Sequence, residues 1–150
     1  MKVSIGSDHG GYAVAGIIIQ YLRSKHWDTI AHLPLPEEGR VDYPDYAFEV
    51  ADDISNQKAR CGILVCRTGM GMCIAANKCK NIRAALCMSV ALAVVAREYN
   101  DANILCLGSD YLDEGTILAI VDSFLKTQFS GDRHQLRIEK IFNYEKKHYH

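Results

Sequence analysis

The sequence predicts an α/β fold: one domain over 1–150, built as a three-layer α/β/α sandwich around a parallel, Rossmann-like sheet. Two observations predict it. Short apolar runs bounded by Gly, Asp or Asn alternate five times with segments whose apolar residues recur at helical spacing. Several runs, such as Ile63-Leu-Val65 and Ile104-Leu-Cys-Leu107, carry no polar position, as strands covered on both faces require. A chain of 150 residues buries about 70% of its unfolded surface, enough for one such core.

The elements follow in order. Val3 to Ser7 reads as a first strand, then the turn Asp8-His9-Gly10-Gly11. Tyr12, Ala15, Ile18, Ile19 and Leu22 share one helical face, giving a helix to about Lys25. Asp28 to Leu33 is a second strand. Pro34 to Pro44 contains all three prolines and reads as a loop. Asp45 is the expected cap of a second helix with Tyr46, Ala47, Val50, Ala51 and Ile54 inward. Gly62 to Val65 is the third strand and Met72 to Lys78 the third helix. Arg83 to Cys87 is a fourth strand, and Ser89 caps a helix to about Tyr99. Ile104 to Gly108 is the fifth strand. Asp113 to Thr127 is helical, with Ile117, Val121, Phe124 and Leu125 on one face. Past Ser130-Gly131, a last helix runs from Arg133 to about Lys147, with Leu136, Ile141 and Phe142 apolar.

Composition narrows the function. A net charge of −1 with no basic run argues against general nucleic-acid binding. No apolar stretch approaches the roughly 20 residues of a membrane span. The first residues, Met1-Lys2-Val3-Ser4-Ile5, lack the apolar core of a secretory signal. Six cysteines form no Cys-x-x-Cys pair and sit mostly in apolar surroundings, which fits reduced thiols in a cytoplasm rather than disulfides or a metal.

The chemistry concentrates at Cys66-Arg-Thr-Gly-Met-Gly-Met72. A strand that ends in a thiol, followed by a glycine turn and a helix N-terminus, aims backbone N–H groups at one point and invites an anion. The turn lacks the Gly-Lys-Ser/Thr of a P-loop and the full dinucleotide fingerprint. A thiol in such a place can serve as base, nucleophile or metal ligand. The plainer alternative is a buried strand-end cysteine. Asp8-His9 pairs a carboxylate with an imidazole suited to proton transfer, although Asp8 could merely cap the first helix. In open parallel sheets ligands bind beyond the strand carboxyl ends, so Asp8-His9, Cys66-Arg67-Thr68 and Ser109-Asp110 should share one rim. Arg133 and Arg137 lie four residues apart on one helical face and suit a phosphate, or simply solvent.

Six segments together carry a family resemblance: Gly6-Ser-Asp-His-Gly-Gly-Tyr12, Asp42-Tyr-Pro-Asp45, Cys66–Lys78, Arg83-Ala-Ala-Leu-Cys87, Asn100-Asp-Ala-Asn103 and Gly131-Asp-Arg-His-Gln-Leu-Arg137. In this order, over the whole chain, they resemble the type B ribose-5-phosphate isomerases, a family that includes allose-6-phosphate and galactose-6-phosphate isomerases. The resemblance implies a five-stranded sheet of order 2-1-3-5-4, a homodimer or tetramer with active sites at the dimer interface, and no metal or organic cofactor. It implies an aldose–ketose isomerisation through a cis-enediolate, a step of the non-oxidative pentose phosphate pathway. By resemblance Cys66 is the base, and Thr68 with the N–H groups of Gly69, Met70 and Gly71 holds the oxyanion. Asp8 and His9 contact the sugar and assist ring opening, Asn100 binds hydroxyls, and Arg133 and Arg137 hold the phosphate.

Three positions depart from the family pattern. Tyr99 stands where a histidine commonly protonates the ring oxygen, and a phenol is the weaker acid near neutrality. Arg67 replaces a glycine, and Asp110 replaces a phosphate-binding arginine; together they suggest a coupled exchange that moves a positive charge within the site. Two rival readings remain at this stage. One is the same chemistry on a six-carbon sugar phosphate. The other is a non-catalytic phosphosugar-binding or redox-sensing domain.

Overall fold

The computed structural model describes residues 2–148. They form five strands and six helices: β1 (Lys2–Ser7), α1 (Tyr12–Ser24), β2 (Asp28–His32), α2 (Tyr43–Ser55), β3 (Cys61–Cys66), α3 (Met70–Ala76), β4 (Ala84–Leu86), α4 (Val90–Glu98), β5 (Ile104–Gly108), α5 (Glu114–Lys126) and α6 (Asp132–His148). The strands are parallel and ordered 2-1-3-5-4, as expected. Their register runs through the centre of the sheet as Ile5–Ile63–Leu105–Ala85.

Alternation along β3 divides the core. Ile63 and Val65 join Val3, Ile5, Leu105 and Leu107 beneath α1, α4 and α5, with Ile18, Leu22, Ile120 and Phe124 closing that layer. Leu64 and Cys66 face the other way, with Ile104 and Cys106, against Ala47, Val50 and Ala51 of α2 and Met72 and Ala76 of α3. Every residue of β3 is buried, which is why its sequence shows no polar alternation.

Three boundaries of the second and third helices differ from the sequence expectation, for local reasons. The second helix starts at Tyr43 with Asp42 at its N-cap, not at Asp45. Pro44 sits in the first turn, where a missing N–H loses nothing, so the proline opens the helix instead of closing a loop. Asp45 stands in that first turn, where the helix dipole favours a carboxylate. The third helix starts at Met70 rather than Met72, because Gly69 (φ 75°) is its N-cap. It stops at Ala76, since the Asn77 side chain bonds back to Cys73 O (2.9 Å) and across to Ala84 O (2.9 Å). The expected Ser89 cap holds, its Oγ accepting from Leu92 N, and Asp113 proves to be the N-cap of α5, its Oδ1 accepting from Thr116 N. Among the described residues, no helix is long and apolar enough to cross a membrane.

Candidate active site

The carboxyl ends of β1, β3 and β5 meet in one rim. Asp8 follows β1, and its Oδ1 accepts from the N–H groups of Gly10 and Gly11, both at 3.0 Å. Asp8 therefore shapes the turn ahead of α1, while the N-cap itself is Gly11, with no side-chain cap. Gly11 packs against the β3 backbone so closely that a Cβ would lie 2.3 Å from Val65 O. Only glycine fits there, and this contact brings the Asp8 turn against Cys66.

Cys66 is the last residue of β3 and is buried. Its Sγ accepts from Gly69 N at 3.1 Å. Gly69 adopts the left-handed conformation, and a Cβ there would also meet Leu107 C at 2.9 Å. Thr68 Oγ1 accepts from Met70 N at 3.2 Å. The first helical bond of α3 is Cys73 N to Gly69 O, so the N–H groups before it have no helical acceptor. Of the three N–H groups expected to face an oxyanion, Gly69's points at the thiol sulfur and Met70's at the Thr68 hydroxyl. Gly71's follows in the same open turn.

Arg67 and Asp110 form an ion pair, Nε to Oδ2 at 2.9 Å, across the rim. Ser109 ties the strand ends together: its N–H donates to Cys66 O at 2.9 Å and its hydroxyl to Gly10 O at 3.1 Å. His9 Nδ1 accepts from Val41 N at 3.3 Å, so a neutral ring carries its proton on Nε2. That bond draws the β2–α2 connection over the rim. A cavity of about 420 Å³ results, lined by Asp8, His9, Cys66, Arg67 and Thr68 on one side and by Arg40, Asp42 and Tyr43 on the other. Arg40 and Tyr43 line this cavity, and reasoning from chemistry alone missed both; the only pointer, to Tyr43, was the Asp42-Tyr-Pro-Asp45 segment.

The remaining predicted residues lie elsewhere. α4 leaves the carboxyl end of β4 and runs back, so Tyr99 and Asn100 sit near the amino end of β5. There the Tyr99 ring stacks on His134, with centroids 4.6 Å apart and planes at 6°. His134 and Ile138 form the buried face of α6, while Arg133 and Arg137 are exposed. Within one chain, therefore, the predicted site is split between opposite ends of the sheet.

The other thiols differ from Cys66 in their surroundings. Burial pushes Cys61 and Cys87 up to about 11 and Cys106 higher than its ordinary value. For Cys73, a hydrogen bond with Cys106 outweighs burial and, with help from the Leu86 backbone and Asn77, brings the thiol down to about 7. All six cysteines are free.

Comparison with known proteins adds a third line. The pattern of the ribose/galactose isomerase family matches residues 3–141. Ribose-5-phosphate isomerase B of Escherichia coli is 37% identical over 146 residues, covering 97% of each chain. The structure of ribose-5-phosphate isomerase B from Clostridium thermocellum superposes with a TM-score of 0.94, at 43% identity over 98% of this chain and 99% of that one. The Mycoplasma genitalium enzyme with bound ribulose-5-phosphate gives a TM-score of 0.93, at 44% identity over 97% of both chains.

Proposed function

The chain belongs to the ribose/galactose isomerase family, and from that premise we propose that it interconverts D-ribose 5-phosphate and D-ribulose 5-phosphate as a cytoplasmic homo-oligomer. The observation that carries the proposal is the placement of Cys66 Sγ at the end of β3, in a cavity edged by Thr68, Asp8 and His9, with a backbone N–H aimed at it.

In the proposed reaction Cys66 removes the C2 proton of the open-chain aldose and returns it to C1, while the proton of the O2 hydroxyl passes to O1. Between the two steps the substrate is a cis-enediolate, whose oxygens face Thr68 and the first turn of α3. Donors aimed at such an oxygen are typically worth about 3–4 kcal/mol each in the transition state. The Gly69 N–H is placed to hold the charge that the sulfur carries when it acts as base. Asp8 and His9 bind sugar hydroxyls and assist ring opening, in which Tyr99 stands as the proton donor. No cofactor enters these steps.

Tyr99, Asn100, Arg133 and Arg137 act in this scheme on the cavity of a second copy. The split between the two ends of the sheet supports that arrangement. So do exposed apolar side chains beside these residues, Leu92 and Val95 on α4 and Leu136, Ile141 and Phe142 on α6.

The test is Cys66→Ala assayed on ribose 5-phosphate. It should fold and bind, with kcat lower by about 10²–10⁴. Near-normal turnover would remove Cys66 as the base. Iodoacetamide should inactivate the enzyme with substrate protecting, measured in a Cys73→Ser background because the lowered pKa of Cys73 makes it the competing site of alkylation.

A further inference from the structure

Asp101 ends α4 in a way that contradicts two local preferences. It adopts φ 44°, in the left-handed region where a helix normally ends on Gly or Asn. It also places a carboxylate at the negative end of the helix dipole. Two guanidiniums compensate. Arg97 Nη1 binds Asp101 Oδ1 and Arg83 Nη2 binds Asp101 Oδ2, both at 2.9 Å. Both arginine side chains are mostly buried, at 14% and 19% exposure, so solvent screens these pairs little.

The same guanidiniums hold the backbone. Arg83 Nε donates to Asn100 O at 3.2 Å and to Asp101 O at 3.0 Å, and Arg97 Nη1 donates to Ala102 O. Three successive carbonyls are thus claimed by two side chains. Arg83 is itself fixed from behind, its N–H donating to Asn103 Oδ1 at 2.8 Å while its carbonyl accepts from Asn103 N at 3.0 Å. The Asn100 side chain, by contrast, is exposed and has no hydrogen-bond partner among the described residues. The chain immobilises the backbone around Asn100 and leaves its amide open.

We infer that Arg83, Asp101 and Arg97 form a positioning unit that aims the Asn100 amide at the sugar bound beside Cys66 of a second copy. The inference rests on the reading of Asn100 as a substrate contact in the proposed isomerase. The three residues touch no substrate; they act through Asn100 by fixing the direction of its Cα–Cβ bond. A misplacement of about 1 Å can lower a rate by about 10²-fold.

The experiment is a double-mutant cycle in kcat/KM on ribose 5-phosphate, using Asn100→Ala, Asp101→Asn and the pair. Asn tolerates the left-handed backbone and keeps the shape of Asp101, but it removes the charge between the two arginines. Asp101→Asn should lower kcat/KM by roughly 10- to 100-fold in the presence of Asn100. With Ala at position 100 it should change nothing further. An equal loss in both backgrounds overturns the inference, because the unit would then be acting on folding or assembly rather than through Asn100. A fully active Asn100→Ala overturns it as well, and in addition removes Asn100 from the proposed site. If Asp101→Asn does not fold, Arg83→Lys replaces it in the cycle. Lysine keeps a positive charge facing Asp101, leaves the Arg97–Asp101 pair intact and loses the Nε–H to the Asn100 carbonyl. The same two outcomes decide.

Discussion

The split site predicts a specific result when two inactive variants are mixed. Cys66 lies at the carboxyl end of the sheet, while Arg133 and Arg137 lie near the amino end on α6. If each working site takes its thiol from one chain and its arginines from another, Cys66→Ala and Arg133→Ala/Arg137→Ala should complement each other. Unfold the two variants, mix them in equal amounts and refold. A site then works only when the thiol donor is the arginine-deficient chain and the arginine donor is the thiol-deficient chain. Each condition holds with probability one half, so the mixture should recover about a quarter of wild-type activity in a two-fold symmetric assembly. The fraction is the same for separate dimers and for tetramers made from them. The assay is initial rate on ribose 5-phosphate below KM, where the phosphate contact matters most. Each variant alone, unfolded and refolded in the same way, gives the baseline. A mixture that stays at the average of the two baselines, while wild type refolds with full activity, would refute an intersubunit site.

Three further outcomes are expected. Tyr99→His supplies a stronger acid near neutrality and should raise turnover of cyclic ribose 5-phosphate by roughly 10-fold if ring opening limits, with little effect on ribulose 5-phosphate, which enters open. A large primary isotope effect with the C2-deuterated aldose in the native enzyme, together with an unchanged Tyr99→His rate, would place the slow step at Cys66 instead. The Arg67–Asp110 pair predicts that Asp110→Arg alone, which sets two guanidiniums together, raises KM more than the double change Arg67→Gly/Asp110→Arg; additive effects would make the two positions independent. Buried Asp53 predicts an acid limb in the melting curve. Burial alone would raise its pKa, but hydrogen bonds from His32 (2.7 Å) and Ser4 (2.8 Å), the charge on protonated His32, and Lys58 hold the carboxyl below its ordinary value. A depressed carboxylate contributes stability above its unfolded pKa of about 4 and loses it as pH falls through the lower folded value. The gap in Tm between wild type and Asp53→Asn should therefore narrow below about pH 4, and parallel Tm–pH curves would deny Asp53 this role.

Much of this architecture was legible because the relevant signals are local. β3 announces itself as central by having no polar position, and Ser89 announces α4 as a capping residue, a role its bond to Leu92 N bears out. The shared rim of Asp8, Cys66 and Thr68 follows from sheet direction alone, since each of the three lies at or just past the carboxyl end of a strand. Where the reading slipped, one residue had two possible uses. Pro44 marks a loop or the first turn of a helix, and the sequence does not say which until Tyr43 is seen to start α2. Arg40 and Tyr43 flank a backbone N–H, that of Val41, which donates to the His9 side chain at Nδ1; this bond joins residues 32 positions apart and leaves no periodic trace.

The last helix carries the argument furthest. Its sequence shows an apolar set, Leu136, Ile141 and Phe142, and the simplest expectation is that such a set faces the helix's own core. The structure leaves all three exposed, on different sides of the helix: His134 and Ile138 are buried, Ile141 and Phe142 flank them at 49% and 48% exposure, and Leu136, on the far side, is 63% exposed. Spacings of five and one spread these residues around the helix, so their sequence pattern does not define a single core-facing side. The inward residue His134 stacks on Tyr99, so the buried face of α6 serves to fix the end of α4. Arg133 and Arg137 are carried on the exposed side of the same helix. A helix that uses its inner face to steady one half of a site, while presenting its arginines and apolar side chains outward, suits contact with another copy. That is the contact the mixing experiment reads, so Leu136 and the paired arginines, which share the exposed side of the helix, stand or fall together. Leu136→Asp should accordingly dissociate the assembly and abolish turnover while each chain keeps its melting cooperativity. A monomeric Leu136→Asp variant with full activity would break the link between this helix face and the site.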